Sequence, residues 1–298
     1  MPRIPRQKSP ESIYHVMIKS IKEVDLFVDD EDRMKYLSLL KKYKDKYQFK
    51  IYAYCLLDTH GHLMIDCNGA DISRIMHSIN FSYAIYYNKK YERRGHLFMD
   101  RFKSKIVDTE EYLIVLSAYI HNNAKDIYGY ENKLDKYEFS SLKEYINKTN
   151  TFGILDPFFL TDIIGLGREE NLSKYITLVK KTDSEDKNLD MEFINEGTEY
   201  KSYRRIIPRE YEPEKVIEFV SNYLKVDKEK VRVKYKREFT PFRAISCFLL
   251  SCYCDISQKK ICYYIGNIVQ TRVSKLSNMG MEMVFKDKGI LNKFLQEA

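Results

Sequence analysis

The sequence has no tryptophan, no long apolar run and no regular cysteine framework. Apolar runs such as FLL at 248–250 and LMI at 63–65 fall far short of the roughly 20 residues that span a bilayer. A helical membrane protein is therefore excluded. The opening MPRIPRQKSPES carries charge but no apolar h-region, so no secretory signal is expected. The six cysteines, at 55, 67, 247, 252, 254 and 262, then read as reduced thiols of a cytoplasmic protein. Cys252 and Cys254 stand too close for a CxxC zinc knuckle, and no second pair has the right spacing. They read as small buried apolar residues. No fixed-period repeat or low-complexity tract occurs.

What is present suits a folded chain of about two domains. There are 298 residues, 44% hydrophobic and 31% charged, with 50 Lys and Arg against 43 Asp and Glu. That apolar fraction is too high for disorder. The excess of positive charge is small, but its placement is uneven. Residues 89–105 carry seven basic side chains against two acidic, and 225–243 carry eight against three. Such stripes either neutralise phosphates or form solvated helix faces. The 25 tyrosines could stack on unpaired bases or serve as half-buried packing residues.

Periodicity gives the architecture. IYHVMIKSI (13–21) alternates as a strand. Asp29 or Asp30 caps a helix to about Tyr47. FKIYAYCLL (49–57), with Phe49, Ile51, Ala53, Cys55 and Leu57 expected on one face, pairs as a hairpin with HGHLMIDC (60–67). Asp71 opens a helix through Tyr91, a basic loop at 93–104 leads to a strand near 105–107, and Thr109 caps the helix EEYLIVLSAYIHNN. The order strand–helix–strand–strand–helix–strand–helix predicts an α+β fold whose N-terminal domain is a ferredoxin-like split βαβ. Beyond 151 the pattern is helical, over 156–166, 169–181, 213–224, 240–253, 257–265, 268–278 and 281–296. The polar stretch 182–209 reads as a linker. The domains expected are 1–150, a helical extension and linker over 151–209, and an all-α domain over 210–298.

His60 and His62 flank Gly61 in a predicted strand. Residues i and i+2 point to one face about 6.6 Å apart, so two imidazoles could converge on one divalent cation. Tyr119 and Asn123 stand at i and i+4 and stack on one helical face. An Asn123 carbonyl oxygen could complete a two-nitrogen, one-oxygen site, with Tyr119 near its open positions. The plainer reading of that pair is a core tyrosine and a polar residue at a helix end. His77, inside a helix, reads as structural. His121 points away from Tyr119. His15 and His96 read as outer-shell or DNA-contacting groups.

In order and spacing, HGHLMI (60–65), GHLFMDRFKS (95–104) and YIHNNAKDI (119–127), with IYHVMIKS (13–20) and YEFSSLKEY (137–145), resemble the single-tyrosine HUH transposases, REP-associated tyrosine transposases above all. The resemblance covers about residues 10–165. It implies cleavage and rejoining of single-stranded or hairpin DNA, with Tyr119 as nucleophile forming a 5′-phosphotyrosine. It also implies a divalent metal, Mg²⁺ or Mn²⁺, on His60, His62 and Asn123, and it leaves monomer and homodimer open. Arg93, Arg94, Arg101, Lys103 and Lys105 are expected on DNA phosphates, and Tyr86, Tyr87 and Tyr91 either on bases or in packing. The chain departs from the family pattern at Gly61, where a bulky apolar residue is usual, at NNAKDI in place of NPVRAG, and at Lys19 in place of Arg. Alternatives from other classes are a catalytically idle DNA-binding regulator and a metal-dependent nuclease without a covalent intermediate.

SQKKICYYIGNIVQTRVSKLSN (257–278) reads as a helix-turn-helix, with Gly266-Asn267 supplying the turn. Gln270, Thr271, Arg272, Ser274 and Lys275 on its second helix could reach base edges. This part resembles the DNA-binding C-terminal domain of the replication initiator DnaA. A helical bundle without DNA contact is the plainer reading.

Overall fold

Four strands, β1 (Ile13–Lys19), β2 (Lys50–Leu56), β3 (His60–Asp66) and β4 (Lys103–Ile106), form one sheet in the order β2-β3-β1-β4. Every neighbouring pair is antiparallel. Helix α1 (Asp30–Tyr47) joins β1 to β2, α2 (Ile72–Lys90) joins β3 to β4, and α3 (Glu110–Asn122) follows β4. The computed structural model describes residues 12–182, 209–233, 236–266 and 268–297. The chain divides into two units, 1–45 with 49–205 and 46–48 with 206–298. No helix among the described residues is long and apolar enough to cross a membrane.

The expected caps form. Asp71 accepts a hydrogen bond from the Ser73 amide at 2.7 Å and Thr109 one from the Tyr112 amide at 3.0 Å, each satisfying an orphan donor of the first turn. Aromatic packing joins α1 to α2, where the rings of Phe27, Tyr36 and Tyr83 meet with centroids 5.2 to 5.6 Å apart. The fully buried Asp32 anchors the far end of the same contact. It accepts from Lys90 at 3.0 Å, Tyr91 at 2.7 Å and Tyr86 at 3.2 Å, while the Tyr87 hydroxyl donates to the Asp25 carbonyl at 2.8 Å. The hydroxyls of Tyr86, Tyr87 and Tyr91 are thus committed within the protein, and Tyr87 is buried as the packing reading expects, while Tyr86 and Tyr91 are half-buried.

The expectation that Phe49, Ile51, Ala53, Cys55 and Leu57 share a face fails at a bulge. Ile51 pairs with Ile65, but Ala53 pairs with Met64. Directly opposed residues share a face, so the extra residue, Tyr52, moves Ala53 and Cys55 to the face of His62 and Met64. The free edge of β2 is covered by 137–145. There the Leu56 amide donates to the Phe139 carbonyl at 3.0 Å and the Ser141 amide to the Tyr54 carbonyl at 2.9 Å, a common way to block edge pairing. Three further helices, α4 (Leu142–Asn147), α5 (Pro157–Ile164) and α6 (Glu169–Lys181), complete the first unit.

The second unit holds α7 (Pro213–Leu224), α8 (Thr240–Tyr253), α9 (Gln258–Ile265), α10 (Gln270–Lys286) and α11 (Lys288–Glu297) around a core that includes Val216, Phe242, Phe248, Val284 and Phe294. The break expected near 279–280 is absent, and α10 runs through it to Lys286. Gly280 is a contact glycine here. A Cβ at that position would lie 2.0 Å from the Ala244 carbonyl oxygen, so its lack of a side chain lets α10 approach the backbone of α8. The linker expected over 182–209 lies, apart from its two end residues, outside the described residues.

Candidate active site

The register of the sheet builds the site. Lys19 pairs with His60, Met17 with His62, His15 with Met64, and Lys103 with Met17. These side chains therefore share one face, and α3 packs against β2 and β3, setting Tyr119 against the histidines. The Tyr119 ring lies edge-on to His62 at 5.5 Å and to His15 at 6.1 Å. The His60 and His62 rings are 5.2 Å apart. A pocket of about 230 Å³ opens here, lined by His60, His62, Tyr119, Lys19, Arg101 and Lys103, together with Asp100, Met17 and Met99. Three cations against one carboxylate make it a place for a phosphate.

Gly61 faces away from this pocket. A Cβ there would meet Leu56 Cδ2 at 3.1 Å and Ile18 Cγ1 at 3.4 Å. The departure from a bulky middle residue thus reflects a tightly filled opposite face and leaves both histidines in place.

Both histidines are oriented by neighbours. His60 Nδ1 lies 3.1 Å from Thr59 Oγ1, and His62 Nδ1 lies 3.0 Å from His15 Nε2. Each ring is held through Nδ1, and Nε2 is then the nitrogen through which each would bind a metal. Burial, followed by the charges of His15 and His60, holds the His62 pKa well below its ordinary value. Burial, then Lys105, lowers that of His15 to about 4. A neutral imidazole suits a divalent cation, so His62, with the His60 ring 5.2 Å away on the same face, fits a metal. Asn123 is buried and donates from Nδ2 to the Tyr119 carbonyl at 2.7 Å, and it does not line the pocket. Among the described residues no group of three or more His, Cys, Asp or Glu side chains is placed to hold a metal.

The basic residues singled out in the sequence separate. Arg101 and Lys103 line the pocket. Lys105 lies over the Tyr112 ring at 4.7 Å, and Arg93 over the Tyr87 ring at 5.8 Å. Arg94 is exposed, and neither it nor Arg93 lines the pocket. His121 is buried between Tyr175 and Ser141, with its nitrogens 2.8 and 2.7 Å from their hydroxyls, in keeping with its exclusion as a base. His77, expected to be structural, is exposed and stacks on Phe81 at 5.7 Å. Sequence reasoning gave Lys19 only as a departure and passed over Met17 and Asp100. The i, i+2, i+4 spacing of His15, Met17 and Lys19 was the available signal, but their partners depend on register.

In the second unit Gln270, Thr271, Arg272 and Lys275 are exposed on the first turns of α10, while Ser274 is half-buried and accepts from Gln258 at 3.1 Å. Gly266 ends α9 at φ +107°, and a Cβ there would meet the Arg232 backbone at 3.1 Å. Glycine is required on both counts. Asn267 lies outside the described residues.

Residues 8–123, which hold both histidines and Tyr119, match the family model described as "Transposase IS200 like". This matched stretch ends at Asn123. Among solved structures, the chain is similar to one described as "Structure of the REP associates tyrosine transposase bound to a REP hairpin", at 15% identity and a TM-score of 0.43, over 52% of this chain and 88% of that one. No curated protein matches the chain.

Proposed function

We propose that the protein is a transposase that cleaves and rejoins single-stranded DNA through a covalent bond to Tyr119, acting on hairpin or palindromic DNA. One observation carries the reading: a single basic pocket gathers Tyr119, His60 and His62 with Lys19, Arg101 and Lys103. The family match over 8–123 supports it. The strand order and its two crossover helices support the ferredoxin-like split βαβ assignment for this part.

In the proposed reaction the cations of Lys19, Arg101 and Lys103 bind the phosphodiester and neutralise charge as it develops. Tyr119 Oη forms a bond to phosphorus while the bond from phosphorus to the 3′ oxygen breaks. The phenol proton ends, in net terms, on the departing 3′ oxygen, leaving a 5′-phosphotyrosine and a 3′-hydroxyl. Rejoining is the reverse displacement by a 3′-hydroxyl, so no external energy source is needed. A divalent metal, Mg²⁺ or Mn²⁺, on His60 and His62 would polarise a non-bridging phosphate oxygen. Asn123 is the proposed third ligand, and its oxygen would have to enter the pocket from the turn after Tyr119. In the second unit, the exposed Gln270, Thr271, Arg272 and Lys275 support a DNA-binding helix-turn-helix reading of α9 and α10.

The test is a denaturing gel of wild-type and Tyr119→Phe protein, each incubated with Mn²⁺ and labelled single-stranded hairpin DNA from the gene's flanks. A protein–DNA adduct that requires both metal and Tyr119 is the expected result. Cleavage without adduct, equal in the variant, would mean a plain nuclease. Tight binding without cleavage would mean a regulator.

A further inference from the structure

A second, larger cavity lies beside the pocket. It is a cleft of about 840 Å³ between α2 and the loop 95–102, within the range of about 300–1,000 Å³ typical of ligand sites. The two cavities share a wall, since Met99, Asp100 and Arg101 line both. That wall is fixed to the end of β1. The Ile21 amide donates to the Leu97 carbonyl and the Met99 amide to the Lys19 carbonyl, both at 3.0 Å, and Leu97 is buried. The cleft is therefore preformed on the backbone that carries Lys19 into the pocket.

Its lining is apolar and aromatic with amide groups set in it. His77, Phe81 and Ile85 stand at i, i+4 and i+8 on α2 and line one side. Phe81 is 59% exposed and Ile85 55%, and Met99 across the cleft is 51% exposed. The His77 and Phe81 rings lie nearly parallel, with 7° between their planes and centroids 5.7 Å apart. Asn88, also in the lining, donates from Nδ2 to the Gly95 carbonyl at 2.9 Å, tying α2 to the start of the loop across the cleft. Arg101 stands at the wall the cavities share.

We propose that this cleft takes an unpaired base of the DNA strand whose phosphodiester lies at Tyr119, a base one or a few nucleotides from the broken bond. The inference rests on the covalent strand-transfer reading and names what that site would select. A nucleobase has the required character, a flat face that packs on rings and aliphatic side chains, joined to a phosphate that the neighbouring cations would hold. Continuity with the phosphate-binding pocket favours this occupant over a helix of a partner protein, because the strand passing Arg101 would reach the cleft without leaving the surface. Stacking of one base on an aromatic side chain is worth about 1–3 kcal/mol, and a tenfold effect on affinity, about 1.4 kcal/mol, lies in the lower half of that range.

The test uses the full chain with Phe81→Ser and Ile85→Ser combined. Both side chains are more than half exposed, so folding should persist, and circular dichroism melts would check it. Binding of single-stranded oligonucleotides, each with one abasic site placed in turn around the cleavage position, is read by fluorescence anisotropy. The expected result is one position at which base removal weakens wild-type binding about tenfold but leaves the double variant's already weakened affinity unchanged. Equal profiles for wild type and variant, with wild type still forming the Tyr119 adduct, would overturn the cleft assignment alone. A variant that binds every oligonucleotide as wild type does but loses self-association would assign the face to a second copy of the chain and overturn it as well. Wild-type protein that neither binds single strands nor forms an adduct would overturn both this inference and the reading beneath it.

Discussion

His15 Nε2 lies 3.0 Å from His62 Nδ1, and the two imidazoles stack with centroids 5.3 Å apart. One nitrogen must donate and the other accept, so the pair couples the tautomer of His62 to that of His15 and holds its ring angle. A second residue that holds a ligand histidine in this way commonly matters for metal affinity by about 10–100-fold.

The first prediction concerns that pair. His15→Ala should weaken Mn²⁺ binding by about 10–100-fold, measured by isothermal titration calorimetry on folded protein. His15→Gln, which restores a donor and acceptor near His62 Nδ1, should recover part of the loss. Equal Mn²⁺ affinity in wild type and His15→Ala would show that the pair only packs.

Acid sensitivity follows from the buried imidazoles. Burial pushes the His121 pKa down to about 3, and burial foremost pushes that of His15 to about 4. Between these values and the ordinary 6.5 the unfolded chain binds protons that the folded one refuses. Stability from these groups is therefore full above about pH 6.5 and is lost as pH falls through 6.5 towards 3. Across its own window His15 contributes on the order of 3 kcal/mol and His121 on the order of 5 kcal/mol. Urea unfolding of wild type at pH 7, 5 and 4 should show the midpoint falling. His121→Asn should be less stable at pH 7, having lost bonds to Tyr175 and Ser141, yet show a shallower acid slope. An unchanged slope would remove His121 from the account.

Much of the site was legible because it depends on local spacing. Asp71 and Thr109 cap helices through bonds to residues two and three positions ahead. His60 and His62 share a face because strands alternate, and Tyr119 stands one turn before Asn123 on any helix. What depends on tertiary pairing was not legible. Nothing local says that Lys19 stands opposite His60, that the Tyr52 bulge turns Cys55 towards His62, or that Asp32 engages the hydroxyls of Tyr86 and Tyr91. His77 illustrates the same limit, since whether a helical residue is inside or outside depends on what packs against its face.

Gly280 gives the sharpest contrast between local and tertiary rules. In a helix interior glycine is about 1 kcal/mol less favourable than alanine, so local propensity makes Gly280→Ala a stabilising change and also suggests a helix break there. The packing says the opposite. A Cβ would fall 2.0 Å from the Ala244 carbonyl oxygen and 2.4 Å from its carbon, and backbone cannot move aside as a flexible side chain can. Relief requires α8 and α10 to separate, which loosens contacts throughout the core of the second unit. Gly280→Ala should therefore lower the second unit's stability by about 1–3 kcal/mol, the usual cost of overpacking. Because the clash lies within that unit, the pH-dependent loss attributed to His15 and His121 should keep its slope. Urea unfolding followed by hydrogen exchange would read the two units separately. A variant as stable as wild type, or more so, would mean that the helices approach less closely than this and that propensity governs the position after all.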